Sequence, residues 1–252
     1  MIALLSDVHA NLEALTAVYS DLTQRGIQRT FFLGDIVGYG PNPVEVLEFV
    51  KHFEFCLLGN HDEAVIHGPP KTFNSAAARA CLWTRRQLCP DEAARSFFRP
   101  GLNQQRKDQW EFLQNLKPVR IISEMMFVHD TPARPGSWHY VRTRPEADAA
   151  FEKYPAIRAF FFGHTHEPGV WYESGYQPAE PGRKYMFEKR VMVNVGSVGQ
   201  PRDKDNRACY VILEPDGFRF FRVPYDFQKT QEKILACPDL DPRLAERLAN
   251  GT

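Results

Sequence analysis

Apolar residues in this chain arrive in short dense runs, each ending abruptly in polar residues. Residues 2–5 form one such run and stop at Ser6, as a buried strand would. The next stretch, NLEALTAVYSDLTQRG, spaces Leu12, Leu15, Val18, Tyr19 and Leu22 as one face of a helix. Asn11 suits its start as a cap and Gly26 its end. RTFFLG (29–34) predicts a second strand, proline-opened PNPVEVLEFVKH a second helix, and FEFCLLG (53–59) a third strand. Strands and helices alternating at this spacing predict βαβ units around a parallel core.

Residues 74–117 read mainly as helix, in NSAAARACLWTRRQL, PDEAARSFF and QRKDQWEFLQNL. Pro100-Gly101 breaks this region, and the polar tract 99–107 reads as an excursion from the fold. VRIIS and MMFVHD predict a hairpin, PEADAAFEKY a helix and RAFFFG a strand. The texture then turns to β: GVWYES, MFEKRVMVNVGS, ACYVILEP and GFRFFRVPY, with Pro215-Asp216-Gly217 as a hairpin turn. Helices follow at residues 227–235 and from Pro242. With no repeat, low-complexity segment or linker, the expectation is one domain over 1–252, an α/β first half joined to an antiparallel second half.

Composition narrows the classes. At 252 residues and 43% hydrophobic content the chain can bury a sizeable core. Lys+Arg and Asp+Glu balance at 31 each, so no global field draws it to nucleic acid or an anionic membrane. The absence of an extended basic stretch argues against extended nucleic-acid binding. Five scattered cysteines without a C-x-x-C pair fit a reducing compartment. No stretch reaches the ~18 apolar residues of a membrane span, and residues 2–5 are too short for a signal peptide. The expected location is cytoplasmic, with no membrane partner; a homo-oligomer is left open.

The chemistry collects at the strand ends. Five predicted strands end in Ser6-Asp7-Val8-His9, Gly34-Asp35, Gly59-Asn60-His61-Asp62, His129-Asp130 and Gly163-His164-Thr165-His166. A single Asp or His after a strand is more often a cap or a loop residue. In open α/β sheets, however, the carboxyl ends of the strands converge on one crevice, so five such ends in succession predict one site. Asp-x-His and His-x-His place alternate side chains on the same side of extended chain. Oxygen and nitrogen donors without thiolate suit Mn²⁺, Fe, Zn²⁺, Co or Ni²⁺ rather than Ca²⁺. Seven donors exceed one tetrahedral ion and suit two ions sharing a carboxylate, an arrangement used to hydrolyse phosphate esters through a metal-bridging hydroxide.

SDVHAN, GDIVGYGPNP, GNHD, VHD and GHTH resemble the five ordered blocks of the calcineurin-like metallophosphoesterase superfamily, and NVGSVGQPRD extends the likeness. The nearest resemblance is to its small bacterial phosphodiesterase-type branch. It implies a four-layer αββα sandwich of two mixed sheets flanked by helices. It also implies two divalent metals, the first held by Asp7, His9 and His166, the second by Asn60, His129 and His164, with Asp35 bridging. His61 would stabilise or protonate the leaving oxygen, with Asp62 holding its ring.

The resemblance implies a phosphoric ester hydrolase acting on a small phosphate ester or nucleotide. Diesters are favoured, because Gly38-Tyr39-Gly40 stands where the family's protein phosphatases place an arginine and Asp130 adds an acidic group nearby; GNHD in place of their GNHE argues against a phosphoprotein phosphatase. The alternatives are a phosphomonoesterase of protein phosphatase or dinucleoside polyphosphate hydrolase type, or a noncatalytic scaffold. A scaffold would have lost ligands, and here all seven and His61 are present. Asp130 stands where this branch commonly has Gly. Asn11, Tyr39 and Arg202 are candidate substrate contacts: Asn11 serves equally as a helix cap, and the Arg202 guanidinium suits a phosphate oxygen.

Overall fold

The strand expected at residues 2–5 is β1 (Ile2–Leu5), and it lies inside a sheet rather than at an edge. A computed structural model describes residues 1–90, 100–187 and 189–252. β1, β2 (Thr30–Phe32) and β3 (Phe55–Cys56) run parallel, connected through helices α1 (Leu12–Gln24) and α2 (Pro43–Val50). After β3 come α3 (Asn60–His67), α4 (Ser75–Leu88) and α5 (Pro100–Asn115). The hairpin of β4 (Val119–Ile122) and β5 (Met125–Val128) follows, then α6 (Arg144–Lys153) and β6 (Ala159–Phe162). The β-rich part holds β7 (Gly169–Tyr172), β8 (Gly175–Pro178), β9 (Lys184–Met186), β10 (Val191–Asn194), β11 (Ala208–Glu214) and β12 (Gly217–Val223). Helices α7 (Phe227–Leu235) and α8 (Arg243–Asn250) close the chain.

Two mixed six-stranded sheets result, ordered β3-β2-β1-β11-β12-β9 and β4-β5-β6-β10-β7-β8. The expected division into an α/β half and an antiparallel half does not hold. β11 pairs antiparallel with β1, and β10 parallel with β6, so each sheet combines early and late strands. The stretch 186–197, read as one β segment, splits: β9 joins the edge of the first sheet and β10 the middle of the second.

The three phenylalanines before Gly163 show how the layers are built. Phe161 points into the core between the sheets, with Leu4, Phe31, Phe127, Val211 and Phe218. Phe160 and Phe162 point the other way, against Ala147, Ala150 and Phe151 of α6. On the outer face of the first sheet, Leu5 and Phe32 pack with α1, α2 and α3. The order is therefore helix, sheet, sheet, helix, and each fully buried phenylalanine contributes roughly 1.5–3 kcal/mol.

Of the excursion expected at 99–107, residue 99 lies outside the described residues and the rest is instead the first half of α5. Proline is tolerated in the first helical turn, where its missing N–H costs no hydrogen bond. Gln104, Lys107 and Asp108 are exposed, with Gln104 donating to Asp108 one turn on (2.7 Å), whereas buried Gln109 ties α5 to the Val44 carbonyl of α2 (2.9 Å). The helix expected at 90–98 lies, apart from Pro90, outside the described residues.

Candidate metal centre

β1, β2 and β3 of one sheet and β5 and β6 of the other end at the same place, where the five polar blocks meet. Asp7, His9, Asp35, His164 and His166 all have left-handed backbone, with φ between 48° and 67°. Such single residues turn the chain sharply as it leaves a strand and cost of order 1–3 kcal/mol each. The turns are held by backbone bonds between blocks, Asp7 N to Gly34 O (3.0 Å), His9 N to Asp35 O (3.0 Å) and Gly163 N to His129 O (3.0 Å). Gly163 is required by close approach, since a Cβ there would lie 2.1 Å from Ser6 Oγ and 2.3 Å from Asp7 Oδ2.

The histidine rings are oriented by backbone carbonyls. Nδ1 of His9 meets Val37 O (3.2 Å), that of His129 meets Leu33 O (2.9 Å) and that of His166 meets Gln200 O (2.6 Å). Carbonyls accept only, so each Nδ1 carries the proton and each Nε2 presents a lone pair. These lone pairs converge: Nε2 of His9 and of His166 are 3.2 Å apart, and that of His166 is 3.1 Å from Asp7 Oδ1. His164 is turned the other way, with Nε2 donating to the Trp138 carbonyl (3.1 Å), which leaves Nδ1 for the centre.

Two groups of donors result, Asp7, His9, Asp35 and His166 in one and Asp35, His129 and His164 in the other, each within 4.8 Å. Asp35 belongs to both. Its Oδ2 lies 3.5 Å from His9 Nε2 and 3.3 Å from His129 Nε2, while its Oδ1 accepts from the His61 N–H at the start of α3 (2.8 Å). Asn60 Oδ1 stands 3.2 Å from His129 Nε2. All seven residues expected as ligands are thus brought together.

The donor set fits a cation. Asp7 Oδ1 is buried with no hydrogen-bond donor. Burial alone would raise the Asp7 and Asp35 acids, yet His166 and His129 hold them well below the usual carboxylate range. Burial would lower His129, yet Asp35 and Asp7 push it up to about 10. Burial dominates at His9, His166 and His164, the last of which it lowers to about 3. His9, His164 and His166 are thus held neutral, while Asp35 and Asp7 favour positive charge at His129.

The remaining expected residues divide. His61 packs on Tyr39 (4.3 Å between centroids) and Phe73 (4.9 Å), with Nδ1 3.5 Å from Cys81 Sγ, and burial pushes it down to about 4. The Asp62 carboxylate does not hold this ring. It accepts backbone N–H bonds from Asp35 (3.0 Å), Gly59 (3.0 Å) and Val37 (3.1 Å), so it fastens the loop that carries Asp35 to the start of α3. Asn11 caps α1 through Ala14 N and donates to Gly199 O (2.9 Å) and Tyr225 Oη (3.2 Å). Its amide is committed inside the protein. Tyr39 lies 4.7 Å from the His9 ring. The Arg202 guanidinium lies 5.9 Å from the Tyr39 ring centroid.

Two further contributors act in ways the sequence did not indicate. Asp130 accepts from the N–H groups of Gly136 (3.0 Å) and Trp138 (2.5 Å), folding back the loop whose carbonyl orients His164. Tyr140 stacks on His164 (4.3 Å, 13°). A cavity of about 840 Å³ opens elsewhere, at the start of β1 and β6 among Ile2, Met125, Ala159 and Phe187. It contains none of the converging donors.

Residues 1–168 match the family model of the calcineurin-like phosphoesterases. An uncharacterized protein of Methanocaldococcus jannaschii is 38% identical over 264 aligned residues, covering 100% of this chain and 98% of its own. Among solved structures, a metallophosphoesterase from Sphaerobacter thermophilus has a TM-score of 0.81 at 34% identity, covering 100% of this chain and 98% of that one. A hypothetical protein from Pyrococcus horikoshii OT3 has a TM-score of 0.74 at 19% identity, covering 100% and 99%, and shares the fold. Among the described residues no helix is long and apolar enough to cross a membrane.

Proposed function

Because the chain belongs to the calcineurin-like phosphoesterase family, whose members bind divalent metals, we propose that it hydrolyses a phosphate ester of a small or nucleotide-like molecule at two transition-metal ions. Asp7, His9, Asp35 and His166 would hold the first ion and Asp35, Asn60, His129 and His164 the second. The observation that carries this reading is the membership of Asp35 in both donor groups. Such a pair supplies Lewis acidity toward phosphoryl oxygens and toward water. Mn²⁺, Fe, Co, Ni²⁺ and Zn²⁺ all suit the oxygen and nitrogen donors.

The protein's own residues do the rest. Strand-end turns and carbonyl-bound imidazoles fix the donors before substrate arrives, so little reorganisation remains at the reacting phosphoryl. His61, neutral at pH 7 because of its burial, directs Nδ1 at Cys81 and leaves its Nε2–H to donate a hydrogen bond to the departing oxygen. Tyr39 and Phe73 hold that ring by packing, the role the sequence assigned to Asp62.

Diesters and nucleotide-like esters remain the first reading. One observation favours a more highly charged phosphate: Arg247 joins Arg202 beside Tyr39, in the block where the sequence offered no arginine. The test is hydrolysis of bis-p-nitrophenyl phosphate and p-nitrophenyl phosphate by protein loaded with Mn²⁺. A higher kcat/KM for the diester supports the first reading and the reverse order the second. No hydrolysis of either by protein carrying both ions rejects the proposal.

A further inference from the structure

Helices α7 and α8 lie beyond the part of the chain that matches the family, yet they wall the metal centre. Ile234, Leu240, Leu244 and Leu248 pack with Ala76, Ala80 and Tyr39. That packing seats the last turn of α8 so that the Arg247 guanidinium lies 6.0 Å from the Tyr39 ring centroid, while Arg202 lies 5.9 Å from the same centroid. The Tyr39 ring in turn touches those of His9 (4.7 Å) and His61 (4.3 Å). Two guanidinium groups therefore stand one aromatic ring away from the centre.

Many arginines of this molecule meet carboxylates, as in Arg29 with Glu54, Arg190 with Glu173 and Arg243 with Asp241, while others, such as Arg158, donate to backbone carbonyls. Among the described residues, Arg202 and Arg247 have no Asp or Glu side chain within ion-pair distance. Arg202 Nη2 donates to Gln200 Oε1 (3.0 Å) and its buried Nε has no partner. Arg247 Nε donates to the main-chain oxygen of Thr252 (2.6 Å), and the Tyr39 hydroxyl is a second partner of its guanidinium. Partial burial and the charge of Arg202 both disfavour the charge on Arg247, which guanidinium retains regardless. Two like charges held together in a half-buried place, with donors to spare, make a site for an anion.

We propose that Arg202 and Arg247 form an anion subsite beside the metal centre, which takes a second phosphate adjoining the scissile one in a nucleotide-like substrate. It rests on the phosphoesterase reading above, because the scissile phosphoryl is placed on the ions and the arginines take what extends past Tyr39. A lone diester would leave the subsite unfilled, whereas a nucleoside diphosphate group would fill both.

The test is equilibrium binding of AMP and ADP, at fixed free Mn²⁺, to the metal-loaded protein and to Arg247→Gln and Arg247→Lys. The probes differ by one phosphate. The native protein should bind ADP more tightly than AMP by on the order of 10- to 100-fold, the worth of charge-assisted hydrogen bonds. Arg247→Gln should erase most of that preference and Arg247→Lys should retain part of it, with the melting temperature of each measured alongside. No preference for ADP overturns the subsite, as does a preference that survives Arg247→Gln and so comes from the metals. Equal weakening of AMP and ADP with a lowered melting temperature overturns it too, because Arg247 would then only pin α8. Binding is read without turnover, so failure here is distinct from failure of the hydrolase reading, which p-nitrophenyl ester hydrolysis reports.

Discussion

Asp62→Asn separates a carboxylate that fastens ligand-bearing loops from one that drives His61. Asp62 is fully buried, with Oδ2 shared by the N–H groups of Asp35 and Gly59 and Oδ1 taken by that of Val37. Asparagine keeps one acceptor oxygen. At best it preserves two of the three bonds without their charge, and its amide nitrogen then faces the Val37 N–H as donor against donor. A lost charge-assisted bond is worth about 1.5–3 kcal/mol and a buried donor left unpaired about 1–3 kcal/mol. Against this, asparagine relieves the burial of a charge beside Asp35, which together push the Asp62 acid up to about 8. The net expectation is a loss of about 2–4 kcal/mol, or a melting temperature lower by about 4–16 °C in a chain of this size. Because the loosened loop carries Asp35, the Mn²⁺ concentration for half-maximal activity should rise. Thermal unfolding and a Mn²⁺ titration of activity measure both. An unchanged melting temperature and Mn²⁺ dependence, with kcat lower by on the order of 10²–10⁴, would show that Asp62 works through His61 and refute the structural assignment.

Three further outcomes are expected. Asp35→Asn should reduce the content of both ions while His166→Ala depletes mainly one, by elemental analysis after reconstitution with excess Mn²⁺; equal loss in the two variants would deny the shared carboxylate. His61→Ala should keep both ions and lower kcat by on the order of 10²–10⁴, and loss of metal instead would move His61 into the ligand set. Burial raises the Asp21 acid, but hydrogen bonds from Arg25 (2.9 Å) and Tyr210 (2.5 Å) outweigh it and depress the acid in the fold. The stability Asp21 contributes is thus present above the usual carboxylate range and lost as pH falls through the depressed value. Asp21→Asn should flatten the acid limb of a melting-temperature profile and leave its neutral part parallel to the native one; a native acid limb in the variant would exclude Asp21 as a source.

The ligands were legible because each sits where a strand ends, and a strand end is a local event. An apolar run stops, a polar residue follows, and parallel strands carry those ends to one edge. Strand partners were not legible in the same way. Nothing near Ile2 says that it pairs with Leu213, and nothing near Val191 assigns it to Ala159, because such registers are settled by packing between distant segments. The Asp62 assignment failed for a related reason: adjacency to His61 suggested a dyad, but one step along α3 turns the side chain toward the backbone of Asp35 and Val37. Asp130 could be read only as a residue able to turn the chain, since the N–H groups it accepts come from Gly136 and Trp138 across a loop. Arg247 carries no motif at all. It matters because Leu244 and Leu248 fix the phase of α8 against Tyr39, a long-range contact that the sequence did not show.

The interleaving of early and late strands sets an order on biosynthesis. All seven donors precede β10 and β11 in the chain, so once His166 is made β1 still lacks β11 and β6 still lacks β10. The missing part is close to the donors themselves: the Asp7 carbonyl is held by Ser197 Oγ (2.8 Å) and the Gly199 N–H (2.9 Å), and His166 is oriented by the Gln200 carbonyl. A ribosome-bound chain therefore presents Asp7 and His166 as loose chelators until residues 197–214 arrive, and long-range pairing of this kind is slow to form. The rigid cage, with its spacing and its imidazole tautomers, is a property of the finished chain. On the two-ion reading proposed above, selection among competing ions would follow the arrival of residues 197–214 rather than that of the donors.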